Sequence, residues 1–257
     1  MKRKTLSFIM AAALIFSSLP VALPVAAAED FTISTAAELE AFRDSVNAGN
    51  DYSGATVTLT ADIDLGGSAE HQWTPIGTKY MPFGGTFDGG GHTITGLYIN
   101  QPDSSYQGLF GSNTGTIQNL GVDGSVTGSM RVSGIVGDTA YGAIKNCYNH
   151  CAVTGVSMVG GIAGANGDRD SGTSGCEITK CYNTGAISGE TMVAGIAGGS
   201  GEHSNITNCY NTGAVSGSDS SGGIAGRMLA PGVLSNCYNI GAVSGGSGII
   251  GDCIGAG

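Results

Sequence analysis

Hydrophobic and polar residues alternate along much of the chain with the period of two that short β-strands require. The clearest case is Val57–Leu65, which reads Val-Thr-Leu-Thr-Ala-Asp-Ile-Asp-Leu, so that every second residue is apolar. Successive side chains of a strand point to opposite faces, and this alternation predicts a strand with one buried face. After residue 50 the sequence contains almost no apolar pattern of helical period.

One segment near the N-terminus departs from this pattern. Leu39, Phe42 and Val46 follow one another at helical spacing, and Thr35–Glu38 matches a capping box directly before them. In a capping box the Thr hydroxyl and the Glu carboxylate accept hydrogen bonds from free amides of the first helical turn. We therefore predict one amphipathic helix over residues 35–48, at the start of an otherwise all-β chain.

A Gly-aliphatic-X-Gly unit recurs from residue 108 onward at intervals of 26, 27, 34, 28 and 25 residues. The units are GLFG 108–111, GIVG 134–137, GIAG 161–164, GIAG 195–198, GIAG 223–226 and GIIG 248–251. A short aliphatic strand follows each of the first five units, and then comes a segment such as Ala-Val-Ser-Gly. One repeat is thus three short strands separated by glycine-rich turns.

A period of this length with three strands per repeat predicts a parallel β-helix, in which each strand lies on its counterpart one coil away. The handedness preference of parallel crossovers makes that coil right-handed. A β-propeller fits less well, because its blades need about four strands in a longer repeat. We expect residues 29–107 to form the N-terminal cap and the first coils, and residues 108–257 to form the repeats.

Aligning the repeats sorts residues into columns. One inward column contains cysteine, with leucine in earlier repeats: Leu97, Leu120, Cys147, Cys181, Cys209 and Cys237. A second inward column contains Ile99, Val122, Asn149, Asn183, Asn211 and Asn239. The residue between them should face outward: Tyr98, Gly121, Tyr148, Tyr182, Tyr210 and Tyr238. We interpret the thiols as core filling and the asparagines as a structural ladder of stacked amides.

The outward tyrosines are the most interesting predicted surface. Stacked on successive coils, Tyr148, Tyr182, Tyr210 and Tyr238 would form an aromatic strip of the kind that packs against sugar rings. The alternative is that they stack on one another or lie under a neighbouring loop. For the thiols, disulfides between coils and a zinc site are the less favoured alternatives, and Cys176 and Cys253 fall outside the columns.

Composition adds an export signal and an acidic charge. Residues 1–28 combine a basic start, an apolar middle and Ala26-Ala27-Ala28, which predicts a secretory signal peptide cleaved after Ala28. Cleavage leaves seven basic residues against 20 acidic ones. A scattered acidic surface repels phosphate backbones and anionic lipid heads, so we expect neither nucleic-acid binding nor direct membrane binding.

These repeats resemble the GLUG-motif family, named for Gly-Leu-X-Gly and seen here as GLFG. The upstream segments FTISTAAELEAF, LTADIDLGG and FGGTFDGGGHTITGLYI resemble the block before such repeats in IgA1-specific metallopeptidases and bacterial surface proteins. The resemblance covers about residues 31–251. It implies an exported right-handed β-helix on bacterial surfaces, and it implies no single activity, because peptidase catalysis resides in a separate zinc domain.

A search for catalytic motifs finds little. The four histidines are isolated, no His-Glu-X-X-His or Gly-X-Ser-X-Gly motif occurs, and Asp62, Asp64 and Asp88 lie in segments where turn formation explains them. The long third interval places oxygen-bearing residues at calcium-loop positions: Asn166, Asp168, Asp170 and Glu177. Residue 171 is serine where such loops need glycine. Calcium is therefore a candidate ligand, and a solvated insertion is the alternative.

From the sequence we predict an exported, non-enzymatic β-helix that serves as a cell-surface scaffold or adhesin-like recognition module. Its partners would be host or cell-wall glycans, or surface proteins. The alternatives are a β-helix carbohydrate-active enzyme and the non-catalytic front part of a larger surface peptidase. Because the sequence stops at Gly257 partway through a coil, we also expect that it is truncated or that its last coil docks with a partner.

Overall fold

The computed structural model describes residues 29–167 and 175–255. These residues form a parallel β-solenoid with one helix, α1, at Ala36–Asn47, between its first two strands. One hydrophobic cluster runs along the inside from Ile33 to Ala225, so the N-terminal segment and the repeats share a single core. The predicted all-β fold class, with its N-terminal helix, is confirmed. The predicted signal peptide lies outside the described residues.

The strands are short and numerous. The first fourteen are β1 Phe31–Ile33, β2 Thr56–Leu59, β3 Ile63–Asp64, β4 Thr86–Asp88, β5 Thr93–Asn100, β6 Phe110–Asn113, β7 Thr116–Gln118, β8 Gly121–Thr127, β9 Met130–Ser133, β10 Val136–Thr139, β11 Ala143–Lys145, β12 Tyr148–Asn149, β13 Ala152–Thr154 and β14 Ser157–Gly160. The others are β15 Ala163–Asn166, β16 Glu177–Thr179, β17 Tyr182–Asn183, β18 Ile187–Ser188, β19 Thr191–Ala194, β20 Ala197–Ser200, β21 Asn205–Thr207, β22 Tyr210–Asn211, β23 Val215–Gly222, β24 Ala225–Leu229, β25 Val233–Ser235, β26 Tyr238–Asn239, β27 Val243–Ser247 and β28 Ile250–Ile254.

Three parallel sheets run along the solenoid. Sheet A has the order β1-β2-β4-β7-β11-β16-β21-β25, and sheet C has the order β6-β10-β15-β20-β24-β28. Sheet B contains the remaining strands and is the widest, because most coils contribute more than one short strand to it. The three strands predicted per repeat thus correspond to three sheets, and the last of the three, which contains the Ala-Val-Ser-Gly segment, is divided by turns in sheet B.

One coil shows how the sequence builds this cross-section. The chain passes through β11, turns into β12, β13 and β14 of sheet B, and then enters β15 of sheet C. Ile144, Val153 and Val159 point inward from successive strands and are at most 1% exposed. Ile162 of the GIAG unit fills the corner between β14 and β15. Strands too short to bury an apolar face alone are stabilised because every coil adds one layer to the same core.

The helix packs on the N-terminal end of this core. Thr35 caps it through a hydrogen bond from the Glu38 amide, and the Glu38 carboxylate accepts from the Thr35 amide in return. Leu39, Phe42 and Val46 are buried, as the spacing predicted. The Phe42 ring lies edge-on to Phe83 at 5.6 Å between centroids. The helix therefore covers apolar residues of the first coils.

The sequence alignment was wrong for the first repeat. Leu97, Tyr98 and Ile99 pair with residues of β8 four positions beyond those predicted, since Leu97 aligns with Gly124 and Tyr98 with Ser125. Thr93 and Ile94 instead occupy the columns of the tyrosines and asparagines. The register shifts between Ile94 and Leu97, where β5 has one residue more than β8. Because β5 spans the positions that β12 and β13 occupy in a later coil, Tyr98 aligns through Ser125 with Ala152 and does not belong to the tyrosine column.

We expect Thr35→Ala to lower the free energy of unfolding by about 1 kcal/mol, because the Glu38 amide loses its acceptor at the helix start. Urea denaturation followed by circular dichroism measures the change. Thr32→Ala is the matched control, since Thr32 is exposed on β1 and its side chain has no recorded hydrogen bond. Equal stability losses in the two variants would contradict the capping role.

Candidate recognition surface

The outward face of sheet B carries a regular array of uncharged side chains. Segments 148–154, 182–188, 210–216 and 238–244 contribute four outward columns of side chains. We call these four columns together the sheet B array. Its columns contain tyrosine (Tyr148, Tyr182, Tyr210, Tyr238), then mostly threonine (His150, Thr184, Thr212, Ile240), then alanine (Ala152, Ala186, Ala214, Ala242), then hydroxyl residues (Thr154, Ser188, Ser216, Ser244). Only the tyrosine column was predicted from the sequence as a binding surface, although the same two-residue period extends through all four columns.

The tyrosine rings stack directly on one another. Ring centroids are 5.1 Å apart between Tyr148 and Tyr182, 4.9 Å between Tyr182 and Tyr210, and 5.1 Å between Tyr210 and Tyr238. The interplanar angles are 9°, 5° and 4°. This spacing matches the roughly 4.8 Å between hydrogen-bonded strands, so the coil stacking itself sets the ring stacking.

Ring stacking leaves mainly edges and hydroxyls at the surface of the column, except at its end, where Tyr238 stacks on Tyr210 alone and is 52% exposed. Tyr148 ends the stack over Gly121, where a Cβ would fall within 2.1 Å of the ring, and its hydroxyl lies 2.7 Å from Thr93 Oγ1. Burial, together with the neighbouring hydroxyls of Tyr210 and Tyr148, raises the pKa of Tyr182. The raised pKa keeps the Tyr182 phenol protonated in neutral solution, where it can donate a hydrogen bond. Sugar-ring stacking on this column stays a prediction, and the occupied faces do not favour it.

An asparagine ladder lies directly behind the array. Asn149 Nδ2 donates to Asn183 Oδ1, Asn183 Nδ2 to Asn211 Oδ1, and Asn211 Nδ2 to Asn239 Oδ1, each at 2.7 Å. Each amide also donates to the carbonyl two residues on, for example Asn183 to Gly185 O at 2.8 Å. Asn149, Asn183 and Asn211 have no solvent exposure. The ladder holds the turn of each coil at a fixed height relative to the next.

The cysteine column runs parallel to the ladder, and its thiols are free. Cys147, Cys181 and Cys209 are buried, whereas Cys237 is partly exposed. Each sulfur lies near carbonyls of its own coil and the neighbouring one, as for Cys181 with Thr179 O at 3.3 Å and Ile144 O at 3.6 Å. Among the described residues, no group of three or more His, Cys, Asp or Glu side chains is arranged to hold a metal ion.

The local environment makes these thiols poor nucleophiles. Burial and the hydrogen bond with Cys147 raise the pKa of Cys181, and the hydrogen bond with the Cys181 thiol raises the pKa of Cys209 to about 12. The hydrogen bond with Cys209, together with burial, raises the pKa of Cys237. Because the thiolate is the reactive form, the column should be chemically inert while the protein is folded.

The three other cysteines have separate places. Cys151 occupies the turn position that glycine takes in later coils, where its amide donates to Asn149 Oδ1 at 3.1 Å. Cys176 is buried, and its sulfur accepts a hydrogen bond from the Tyr141 amide at 3.1 Å. Cys253 pairs with Met228 in sheet C and is exposed.

The candidate calcium ligands have mixed positions. Asp168 and Asp170 lie outside the described residues. Asn166 is fully buried at the end of β15, with its Nδ2 3.4 Å from Ser200 Oγ. The Glu177 carboxylate pairs with Lys145 Nζ at 3.0 Å. Calcium binding therefore stays a prediction.

The candidate catalytic carboxylates are used in turns. Asp62 Oδ1 accepts from the Thr93 amide at 2.9 Å, which lowers the pKa of Asp62. Asp64 Oδ1 accepts from the Gly66 amide at 2.9 Å. Burial opposes the charged form of Asp88, but hydrogen bonds from Asn119, the Gly90 amide and Gln118 outweigh it and lower the pKa of Asp88. A depressed pKa keeps Asp62 and Asp88 ionised in neutral solution, which suits turn formation and does not suit a general acid.

Comparisons with known proteins agree with a surface-type solenoid. No family model matches the chain. Halomucin of Haloquadratum walsbyi is 34% identical over 147 residues, which are 52% of this chain and 2% of halomucin. A "Putative Gly-rich membrane protein" of Evansella cellulosilytica is 35% identical over 122 residues, which are 45% of this chain and 14% of that protein. The chain thus corresponds to a small part of each relative.

Among solved structures, the fold is similar to that of "a putative immunoglobulin A1 protease from Bacteroides ovatus", with a TM-score of 0.64 and 22% identity. The match covers 88% of this chain and 83% of that chain. At this identity the likeness shows a shared fold. The predicted resemblance to regions of IgA1 proteases is therefore confirmed for the fold. The assignment to the GLUG-motif family stays a prediction. Within the described ranges, no helix has the length and hydrophobicity to span a membrane.

We expect Asn183→Ala to cost about 3 kcal/mol of stability, because it removes the acceptor of Asn149 Nδ2 and the donor to both Asn211 Oδ1 and the Gly185 carbonyl inside the core. Asn100→Ala makes the same truncation at an exposed position and should change stability by less than about 0.5 kcal/mol. Urea denaturation of both variants measures the difference. A loss for Asn183→Ala no larger than that of the control would show that the ladder is not stabilising.

We also expect a thiol reagent such as Ellman's reagent to label Cys253 rapidly at pH 8, because Cys253 is exposed, and to label the buried thiols Cys147, Cys181 and Cys209 only after unfolding. Cys253→Ser should remove the fastest phase, and Cys151→Ser should leave it unchanged. Labelling of Cys147, Cys181 or Cys209 at the rate of Cys253, located by peptide mass spectrometry, would contradict their burial.

Proposed function

We propose that this protein is an exported, non-enzymatic surface module that binds a repetitive partner, in the first place a linear glycan, with the sheet B array. The signal-peptide pattern, the acidic composition and the names of the two relatives support a place outside the cell. A carbohydrate-active enzyme is the second candidate. Serving as the non-catalytic part of a larger surface protein is compatible with the main proposal.

The observation that carries the proposal is the identical spacing of the array from coil to coil. Within the segments 182–188, 210–216 and 238–244, every outward column position is uncharged, on a chain with 20 acidic residues. The columns offer phenol, threonine and serine hydroxyls interleaved with alanine methyl groups. Neutral hydroxyls combined with apolar patches match the surface of a sugar chain, which also alternates hydroxyl groups and C–H faces.

Regular spacing favours a ligand that is itself periodic. A polysaccharide that lies along the solenoid axis can make the same weak contact with each successive coil. Contacts that are linked in this way add up to an avidity far above that of one coil, because each further contact is intramolecular. A protein partner would instead need a single complementary patch, and the array has the same chemistry in each coil.

The enzyme alternative lacks a comparable observation. Asp62 and Asp88 already accept hydrogen bonds from neighbouring turns and are stabilised as anions. A glycosidase needs one carboxyl group whose pKa is raised so that it can donate a proton. These carboxylates therefore support a structural role better than a catalytic one.

The test is retention of the mature protein on immobilised polysaccharides such as polygalacturonate, cellulose, chitin and mucin glycans, with and without calcium. Thr212→Glu places a carboxylate in the middle of the array and should weaken retention about tenfold or more, since a desolvated unpaired charge costs upward of about 1.4 kcal/mol. Thr32→Glu makes the same change on sheet A and should retain parent affinity.

Two outcomes would overturn the proposal. Equal retention of parent and Thr212→Glu on every support would exclude the array as the binding surface. Release of soluble sugar fragments from any support would establish turnover and favour the enzyme. Calcium-dependent retention would in addition support the predicted site around Asn166 and Glu177.

A further inference from the structure

A second candidate binding site lies near the capping helix, away from the sheet B array. A cavity of about 380 Å³ opens between the turn Thr78–Met81 and the segment Ser105–Gln107. Its lining is mainly apolar and includes Pro75, Tyr80 and Tyr106. Small-molecule sites have this size and character, with a few polar groups that orient the ligand.

One wall is an exposed aromatic side chain on a tight turn. Thr78 and Met81 exchange backbone hydrogen bonds at 3.0 and 3.2 Å, which places Lys79 and Tyr80 at the tip. Tyr80 is 85% exposed, although its ring would gain by burial. A hydrophobic ring held in solvent beside an apolar cavity is typical of a binding surface.

The opposite wall is held rigidly from behind. Tyr106 has a left-handed backbone with φ of 62°, and its hydroxyl accepts a hydrogen bond from Arg131 Nη1 at 3.1 Å. The Arg131 guanidinium also lies 5.1 Å from the Tyr106 ring centroid and pairs with Asp138 at 3.0 Å. Arg131 and Asp138 side chains are only 12% and 7% exposed, so this pair fixes the ring before any ligand arrives.

The lining of this cavity carries a positive charge, on a protein that is acidic as a whole. The lining contains one cation, Lys79, and no carboxylate. On a chain with twice as many acidic as basic residues, such a lining creates a local site for an anion. Ser105 and Gln107 add hydroxyl and amide groups to the lining; Gln107 is only 7% exposed, and its Nε2 donates to Ser105 O at 2.8 Å.

We propose that this cavity binds a single pyranose that carries a carboxylate, such as a uronate or sialate residue of a glycan. The C–H face of the sugar packs between Tyr80 and Tyr106, and Pro75 closes the floor. The sugar carboxylate pairs with Lys79 Nζ, and sugar hydroxyls contact Ser105 and Gln107. This site does not depend on the sheet B array, because the two use different residues and different chemistry.

The test uses the mature chain with methyl glucuronide and methyl sialoside, and with methyl glucoside as the neutral probe. Ligand-observed NMR and calorimetry measure the affinities. Tyr80→Ala should weaken binding of the acidic sugars about tenfold, and Lys79→Met should abolish the preference for acidic over neutral sugar. Tyr141→Ala removes another exposed tyrosine, and Thr212→Glu alters the array; both should bind as the parent does.

Each result decides the proposal. Tyr80 and Lys79 are exposed turn residues, so their variants should fold, which circular dichroism checks. Absence of acidic-sugar binding by the parent would overturn the site. Equal binding of the neutral and acidic methyl glycosides by the parent would overturn the role of Lys79. Binding that is lost in Thr212→Glu and kept in Tyr80→Ala would assign the sugar to the array instead.

Discussion

In-register stacking of parallel coils is the constraint on which the rest of this structure depends. The buried amides of Asn149, Asn183 and Asn211 bond to the asparagine one coil further on, at the same 2.7 Å each time. A buried amide without a partner is costly, so a coil that slipped by one residue would lose these bonds and turn its apolar residues outward. The main effect of the repeated Cys-Tyr-Asn sequence is therefore to fix the register in which each coil pairs with the next.

The same constraint determines what the outside can offer. Coils that stack at strand spacing bring equivalent tyrosines to about 5 Å, at which distance planar rings cover one another. The ring faces between neighbouring tyrosines are then covered by the stack. Hydroxyls, ring edges and the methyl groups of the alanines remain at the surface. A solenoid of this kind presents a periodic surface, and the proposed binding of a partner whose own chemistry repeats rests on that periodicity.

Features that could serve a single, non-repeating ligand occur where the repetition is interrupted. The turn Thr78–Met81 has no counterpart in the described residues of the later coils. Arg131, which contacts Tyr106 and Asp138, stands at the left-handed position that Met158 takes in the next coil. The N-terminal coils must also accommodate helix α1 and its aromatic contacts. Irregularity there creates concave surface that regular coils, with their flat sheets, do not provide.

The two-residue period of the sequence determined which side chains face the core and which face solvent, and the capping box determined where the helix begins. These features are local: the alternation of Val57–Leu65 and the pattern of Thr35–Glu38 need no distant contact. Only the tertiary structure decided the register of the first repeat, where one extra residue before Leu97 shifts the pairing. It also decided that Arg131 forms an ion pair with Asp138, and that neighbouring tyrosine rings cover one another's faces. Both depend on how the coil closes and on the distance between coils, which are properties of the assembled solenoid and not of any segment of its sequence.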